Sequence, residues 1–332
     1  MSDNGIAKIQ HYVPQFILKN FMHKKNQVHV FDKKNGRIFS SNTKNVASEN
    51  HFYNFILKNG SEHTWEVALS ELEGEVSVII DKIIDEKSLK GLSDEQKYQL
   101  ALFLAVQFVR TRDVRENFKD IVLKFSKVVS SKFGEENGLF SGQDVQDMIS
   151  EDSLKLYTAE LLAEVRETYL PYFLNKLWAL YEAPKGENFY IGDNPVSRSN
   201  FLPSRFGRSN LGLAVKGTEI YFPISSKYCL ALLCPELIAD MVHGFDEAIR
   251  KKEGSPLEGE LNRNIAESEK TLSGLLSGGA YKVGSAQVIH CNCLQVIFSN
   301  TYIFSSMKSF DLVKEMINDN EKYKNGMRGS VR

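Results

Sequence analysis

The feature that most constrains this fold is the apolar run from Leu100 to Val109. It reads LALFLAVQFV, and it follows Ser93 and Gln96, which have the spacing of a helix capping box. A helix that is apolar on every side has to be buried on every side. We therefore predict a helix that begins at Ser93 and is enclosed by other elements, and a chain of 332 residues is long enough to enclose it.

The preceding segment, Ser61 to Lys87, has the period of an amphipathic helix. Its apolar stripe consists of Trp65, Leu69, Leu72, Val76, Ile79, Ile80, Ile83 and Ile84. Glu66 and Glu73 lie within about 20° of each other beside this stripe, because each residue turns a helix by about 100°. Two stacked carboxylates in this position are typical either of a cation site or of a solvated pair.

Polar residues mark the end of the apolar helix. Gln107, Arg110 and Thr111 have helical spacing and project to one side. A buried Gln or Arg without partners is costly, so we expect acceptors for both, and Glu66 and Glu73 are the natural candidates. The group is then either an internal ion pair that pins two helices or a functional site. Alternatively, Arg110, Arg112 and Arg115 could equally hold a phosphate.

The opening segment, His11 to Phe21, combines apolar anchors with polar residues. Each large side chain that is fully buried there contributes about 1.5–3 kcal/mol. Pro14 fixes its own φ and disfavours helix at the residue before it, so we expect an extended or turn backbone at His11. One interpretation is that His11 and Gln15 are aimed at a ligand. The alternative for His11 is that it caps the first helix.

These segments resemble a bacterial family known as domain of unknown function 4238. The matching elements are the HYxPxFxLxxF pattern of His11 to Phe21, Glu66 and Glu73, QxxRT from Gln107 to Thr111, Gly192 to Val196, and Asn292. The resemblance spans nearly the whole chain, and the family's name implies no activity. It includes Glu66 and Glu73 but not Glu71 and Glu75, which favours a functional interpretation of the first pair.

The pattern along the chain changes from helices to strands near residue 187. Predicted strands cover 27–31, 37–40, 188–191, 219–224, 228–234, 291–297 and 302–304. Predicted helices cover much of 116–182, including a last helix that carries Tyr169 to Tyr181, and also 235–243, 260–276 and 310–318.

This order predicts an α+β fold, with a helical N-terminal half packed on a mixed or antiparallel sheet with flanking helices. We expect residues 1–186 to form the opening segment, hairpin and helical lobe. Residues 187–320 would form a sheet-containing lobe that shares one core with it, and residues 321–332 a disordered tail.

Two polar residues stand among the later strands. Asp193 follows the strand 188–191 in a Gly-Asp-Asn-Pro turn, where a carboxylate could meet a ligand or bond to its own backbone. Asn292 stands in an apolar run and needs hydrogen-bond partners.

Composition excludes several classes. The 41 basic and 42 acidic residues predict no global attraction to nucleic acid or membranes, so any anion site must be local. The N-terminus lacks a signal-peptide pattern and no apolar run of about eighteen residues is present, so we expect a cytoplasmic protein with no membrane partner. The cysteines, Cys229, Cys234, Cys291 and Cys293, lie in strand-like apolar runs without zinc spacing, and we interpret them as buried apolar residues.

No Walker loop, Rossmann fingerprint, HExxH or GxSxG motif is present, so chemistry would require assembly of distant residues around one pocket. The leading hypothesis is a metal-dependent phosphodiester hydrolase, nuclease-like, of bacterial defence or toxin type. The candidate catalytic residues are His11, Gln15, Gln107, Arg110 and Asn292, and the candidate metal ligands are Glu66 and Asp193. His11 would act as acid or base, and Arg110 would stabilise phosphate charge.

The ligands predicted for the metal are oxygen atoms, which favour Mg²⁺ or Mn²⁺ over zinc. The substrate would be nucleic acid or another phosphodiester. The alternative is a non-enzymatic binding or sensor protein in which the same residues form a buried structural network.

Overall fold

The computed structural model describes residues 7–133, 141–203, 210–251 and 258–328. Its helices are α1 (Gln15–Lys19), α2 (Glu66–Glu86), α3 (Asp94–Val109), α4 (Arg112–Phe133), α5 (Gly142–Met148), α6 (Glu151–Ala163), α7 (Val165–Thr168), α8 (Leu170–Leu174), α9 (Pro235–Lys251), α10 (Glu258–Leu276), α11 (Ser285–Phe298) and α12 (Asp311–Asp319). Its strands are β1 (Ile9–His11), β2 (Gln27–Asp32), β3 (Arg37–Asn42), β4 (Ser48–Asn50), β5 (Asn54–Ile56), β6 (Glu62–Thr64), β7 (Leu177–Glu182), β8 (Ile191–Gly192), β9 (Ser197–Ser199), β10 (Glu219–Pro223), β11 (Tyr228–Leu233), β12 (Ala280–Lys282) and β13 (Tyr302–Ser305). Short 3₁₀ helices cover Thr43–Asn45 and Glu321–Lys324.

The strands form two larger sheets and two strand pairs. One sheet has the order β12-β7-β11-β10-β9 and the other the order β3-β2-β13-β8, while β1 pairs with β4 and β5 with β6. Every pairing is antiparallel except that of β12 with β7. The α+β prediction is confirmed, and so is the β2–β3 hairpin. Because β2 pairs with β13, strand pairing crosses the predicted boundary at residue 186.

Helix α3 lies at the centre of the helical layer. It contacts α2, α6, α7 and α8, and Leu100, Phe103 and Leu104 have no exposed surface. Both hydrogen bonds of the Ser93–Gln96 capping box are present, so the predicted start of this helix is confirmed. Although α3 is strongly apolar, neither it nor any other helix in the described ranges has the length and apolar character needed to cross a membrane.

The opening segment is anchored as predicted. Val13, Ile17, Leu18 and Phe21 have no exposed surface and join the main core with residues from α2, α3 and the five-stranded sheet. His11 is the last residue of β1, which pairs with β4, so its backbone is extended rather than helical. The backbone of the opening segment is therefore held firmly enough to orient the His11 side chain.

Two segments have a different structure from the one predicted. The prediction of a helix through Tyr181 is wrong, because residues from Leu177 onward form β7, a strand with both faces buried. Leu180 packs into the main core, while Ala179 and Tyr181 pack into a second core under α10 and α11. A strand that is buried on both faces lacks alternation, so its apolar run cannot be distinguished from a buried helix by periodicity.

The predicted strand at 291–297 is also wrong, because these residues belong to α11. Asn292 and Gln295 lie three residues apart on one helix face and bond to the segment around β8. Cys291 and Cys293 are thus helical. Cys229, Cys234 and Cys291 are buried as expected, whereas Cys293 is only partly buried.

The tail is more ordered than predicted. Residues 321–324 form a 3₁₀ helix, and Arg328 bonds to Asp113 and Asn300. The prediction of disorder is therefore wrong up to residue 328, and residues 329–332 lie outside the described part of the chain.

We predict opposite effects of Ala at two glycines. An added Cβ at Gly192 would lie 2.8 Å from Ser299 Cβ and 3.1 Å from the Gln295 carbonyl oxygen, whereas one at Gly74 in α2 would meet no atom within 4 Å. Gly192→Ala should therefore lower the free energy of unfolding by about 1–3 kcal/mol. Gly74→Ala should raise it by about 0.5–1 kcal/mol, because Ala is the better helix former. Urea unfolding of both variants measures this, and equal effects would contradict the packing of β8 on α11.

Candidate functional site

A group of polar side chains lies where the start of α2, the end of α3 and the end of β1 meet. Glu66 is the first residue of α2, and Glu73 follows two turns later. Arg110 is the C-cap of α3, and His11 ends β1. Packing of the apolar stripe of α2 against the buried helix α3 positions these polar residues at the edge of the core.

Arg110 is held on two sides. Its Nε donates to Gln107 Oε1 at 2.8 Å, and its Nη1 donates to Glu73 Oε1 at 2.8 Å. Gln107 Nε2 in turn donates to the Tyr12 carbonyl at 2.7 Å, next to His11 in the chain. The predicted pairing of Arg110 with a glutamate of α2 is therefore confirmed for Glu73, and Gln107 ties the guanidinium to the opening segment.

Two buried polar atoms of this group, Arg110 Nη2 and His11 Nε2, have no partner among the described residues. Buried polar groups in native proteins are nearly always hydrogen-bonded, so these two atoms are available to a ligand or to water. The guanidinium offers a donor, which suits an anionic or acceptor-rich ligand.

Arg110 forms the buried interior of the site, and His11, Glu66 and Glu73 form its more accessible rim. The Arg110 side chain is 1% exposed, whereas that of Glu73 is 24% exposed. His11 and Glu66 are half-buried. The guanidinium is therefore more deeply buried than the three groups around it.

The pKa values of the rim residues are shifted. Burial lowers the pKa of His11, although the Thr43 and Lys44 carbonyls and Glu73 oppose the shift. Burial and the neighbouring Glu73 raise the pKa of Glu66 to about 7, and Arg110 opposes this only in part. Close to neutral pH, His11 is therefore uncharged and Glu66 exchanges a proton. This combination is found in acid–base sites.

Asn292 and Gln15 do not join this hydrogen-bond network. Asn292 is structural, since its Oδ1 accepts from the Tyr190 amide at 2.7 Å and its Nδ2 donates to the Asn188 carbonyl at 3.0 Å. Gln15 is the first residue of α1, half-buried, and no described residue forms a hydrogen bond with its side chain.

Asp193 belongs to a second polar cluster. Its carboxylate accepts from the backbone amides of Asn300, Thr301 and Tyr302 at 2.6, 2.8 and 3.0 Å, so it shapes the loop before β13 rather than its own turn. The buried ammonium group of Lys33 acts on it, whereas the charges that act on Glu66 are those of Glu73 and Arg110. The structure therefore does not bring Asp193 together with Glu66 as a pair of metal ligands.

Within the described ranges, no group of three or more His, Cys, Asp or Glu side chains is arranged to hold a metal ion. Glu66 and Glu73 remain a pair of neighbouring carboxylates at the rim of the site. Carboxylate pairs of this kind bind Mg²⁺ when water and substrate phosphates complete the shell.

Sequence reasoning missed three residues. Tyr53 donates from its hydroxyl to the His11 carbonyl at 3.0 Å, and nothing in the sequence pattern indicated this contact. Lys33 donates to the Val296 and Ser299 carbonyls at 2.6 Å each, and its position in a hairpin turn gave no sign of this burial. Asp113 is buried beside Arg328; its place just after the apolar helix was the signal that could have identified it.

We predict that Glu66→Gln changes how stability depends on pH. The folded chain keeps a proton on Glu66 up to about pH 7, whereas the unfolded chain loses it near the ordinary pKa of 4.5. Stability contributed by this group therefore falls as pH rises between these values. Glu66→Gln should melt at a higher temperature than wild type at pH 8, and the difference should vanish toward pH 4.5. Glu71→Gln, on the exposed face of α2, is the matched control, and a lower melting temperature of Glu66→Gln at pH 8 would contradict the assignment.

The cluster around Asp193 predicts a different effect of mutation on stability. Asp193→Asn replaces one acceptor oxygen by a donor, which leaves at least one backbone amide of residues 300–302 unpaired. The loss should be about 1–3 kcal/mol for each amide left unsatisfied. Urea unfolding at pH 7 tests this, with Asp311→Asn on the surface as control. Unchanged stability of Asp193→Asn would mean that this carboxylate does not have a structural role.

Comparison with known proteins adds a family. No curated protein and no solved structure matches the chain. The family model described as "Protein of unknown function (DUF4238)" matches residues 9–309, which include His11, Glu66, Glu73, Gln107 and Arg110. Because the match covers most of the 332 residues, the chain belongs to the DUF4238 family.

Proposed function

We propose that this protein hydrolyses phosphodiester bonds, with nucleic acid as the substrate, at the site formed by His11, Glu66, Glu73 and Arg110. The observation that carries the proposal is the buried Nη2 of Arg110, which has no partner among the described residues although Nε and Nη1 are bonded. A guanidinium held in this way is oriented to donate to an anion, and phosphate is an anion that arginine binds well.

Two residues at the rim supply the proton transfers. Neutral His11, whose Nε2 lacks a partner in the described part of the chain, takes a proton from the attacking water. The water oxygen bonds to phosphorus, the bond from phosphorus to the leaving oxygen breaks, and protonated Glu66 donates to that oxygen. Arg110 stabilises the charge that develops on the phosphate oxygens, which is most effective where water is excluded.

A divalent cation is a second possible form of the same reaction. Glu66 and Glu73 are the carboxylates that would hold Mg²⁺ or Mn²⁺, since Asp193 is committed to the loop before β13. Their mutual repulsion, which contributes to the raised pKa of Glu66, supports cation binding there. When bound, the cation would neutralise phosphate charge and activate water. In this form Glu66 is a ligand and not the acid, so sensitivity to a chelator separates the two forms.

The competing function is a non-enzymatic binding or sensor protein. The observation that favours it is the continuous network from the Tyr12 carbonyl through Gln107 and Arg110 to Glu73, which joins three elements and would stabilise the fold without a substrate. If the network served only this purpose, the protein would not hydrolyse a phosphodiester. Loss of any member of the network would then destabilise the fold.

In the proposed setting the protein is an effector of bacterial defence or toxin type. Its production in a bacterial host should then slow growth and generate new ends in cellular RNA or DNA. His11→Ala, produced to the same level, should restore growth, and equal growth inhibition by both proteins would contradict a catalytic toxin.

We predict that the purified protein cleaves labelled single-stranded RNA or DNA oligonucleotides. His11→Ala and Glu66→Gln should each lower the rate by about 100-fold or more, the usual loss on removing an acid or base. The rate should fall above about pH 7 as Glu66 ionises, if Glu66 is the acid. If the reaction uses no metal ion, EDTA should leave the rate unchanged. If it uses a divalent cation, EDTA should abolish cleavage and added Mn²⁺ should restore it.

Matched controls separate the site from the fold. His63→Ala and Glu71→Gln remove the same groups at exposed positions and should keep full activity. Thermal unfolding of every variant shows whether the fold is retained. No cleavage by wild type with EDTA, Mg²⁺ or Mn²⁺, or equal rates for His11→Ala and His63→Ala, would overturn the proposal and favour the binding protein.

A further inference from the structure

A cavity of about 550 Å³ lies between the end of α3, the helices α4 and α6, and β9. None of His11, Glu66, Glu73 and Arg110 lines it, so it is distinct from the site described above. Its volume lies within the range of about 300–1,000 Å³ that is typical of small-molecule sites. The residues that matter to its chemistry are Phe118, Tyr157, Tyr169, Phe298, Asp113 and Arg198.

The walls of the cavity are flat and aromatic. The rings of Phe118 and Tyr157 stack with centroids 4.0 Å apart and planes inclined by 20°. Tyr169 packs against Phe108, whose ring also lines the cavity, at a centroid distance of 5.7 Å. Such walls favour a planar ligand, because aromatic groups attract each other in offset-stacked and edge-to-face arrangements.

Arg198 supplies a positioned donor. Its guanidinium carbon lies 4.8 Å from the ring centre of Phe108 and 5.6 Å from that of Phe298, and its Nη1 donates to the Leu211 carbonyl at 2.8 Å. Its Nε is buried and has no partner in the described part of the chain. Burial lowers the pKa of Arg198 only to about 10, so the group stays charged at neutral pH.

The carboxylate of Asp113, which lines the cavity, already has hydrogen-bond partners in the protein. Asp113 Oδ2 accepts from Asn117 Nδ2 at 2.8 Å and from Asn194 Nδ2 at 3.1 Å, while Oδ1 is paired with Arg328. The carboxylate thus has protein partners on both oxygens, whereas Arg198 keeps a donor without one. A ligand that completes the hydrogen bonding of this cavity therefore has to present an acceptor.

We propose that this cavity binds a planar aromatic heterocycle with the chemistry of a nucleobase, which lies against the aromatic walls and accepts a hydrogen bond from Arg198 Nε. Proteins recognise unpaired bases by stacking them on aromatic side chains and by hydrogen bonds to their edges. A free nucleoside is sufficient for this binding, so the proposal does not rest on the proposed hydrolysis.

The C-terminal segment completes one wall of the cavity. Met327 and Arg328 line it, and the Gly326 backbone packs so closely that an added Cβ would lie 2.1 Å from Asp113 Oδ1. The full chain is therefore the form to test.

The test is calorimetric titration of the full chain with adenosine, guanosine, cytidine and uridine, with ribose as the non-aromatic probe. At least one nucleoside should bind and raise the melting temperature of wild type, while ribose should do neither. Val114→Trp, which fills the cavity, and Arg198→Met, which removes the donor, should weaken binding by about tenfold or more. Val78→Trp, on the exposed face of α2, should bind like wild type.

Each other outcome overturns the proposal. If none of the four nucleosides binds to wild type or shifts its melting temperature, the cavity has no such ligand, whatever the variants do. Equal binding of ribose would remove the aromatic requirement. Equal binding by folded Val114→Trp would place the nucleoside outside the cavity.

Discussion

The burial of the Arg110 charge is the constraint on which the site depends. A guanidinium at the end of an apolar helix cannot be removed from water unless its donors find acceptors, because an unpaired buried charge costs several kcal/mol. Glu73 accepts a hydrogen bond from Arg110 Nη1 and Gln107 accepts one from Arg110 Nε. The Tyr12 carbonyl in turn accepts one from Gln107. The apolar helix, the amphipathic helix before it and the opening segment are therefore fixed relative to one another by one cation.

The second polar cluster joins parts of the chain that are farther apart. Lys33 comes from the N-terminal hairpin, Asp193 from the turn after β8, and Arg328 from the C-terminal segment, and all act on buried Asp113. Two clusters of buried charge thus flank the start of α4, one on Arg110 and one on Asp113. They differ in one respect: Asp193 has its acceptors filled by backbone amides, whereas Arg110 keeps a donor that no described residue fills.

This difference separates a structural network from a candidate site more clearly than residue type does. Asp193 and Glu66 are both carboxylates at the edge of the core, and both have raised pKa values because of burial. Asp193 is 2% exposed and serves a loop, while Glu66 is half-buried beside a second carboxylate. Chemistry requires a group that is accessible as well as perturbed, and Glu66 meets that condition.

The sequence by itself determined the features that depend on local pattern. The capping box at Ser93, the amphipathic stripe of α2, the β2–β3 hairpin and the pairing of Arg110 with a glutamate of α2 follow from periodicity, turn chemistry and the cost of burying charge. Only the tertiary structure decided what the two apolar runs at 177–182 and 291–297 become, because a segment buried on all sides has no periodicity to distinguish strand from helix. It also decided that Asp193 and Asn292 bond to backbone groups, while His11 and Glu66 both lie near Glu73 and Arg110. The partners of a buried polar group come from distant segments, and the packing of the whole core sets how these segments approach each other.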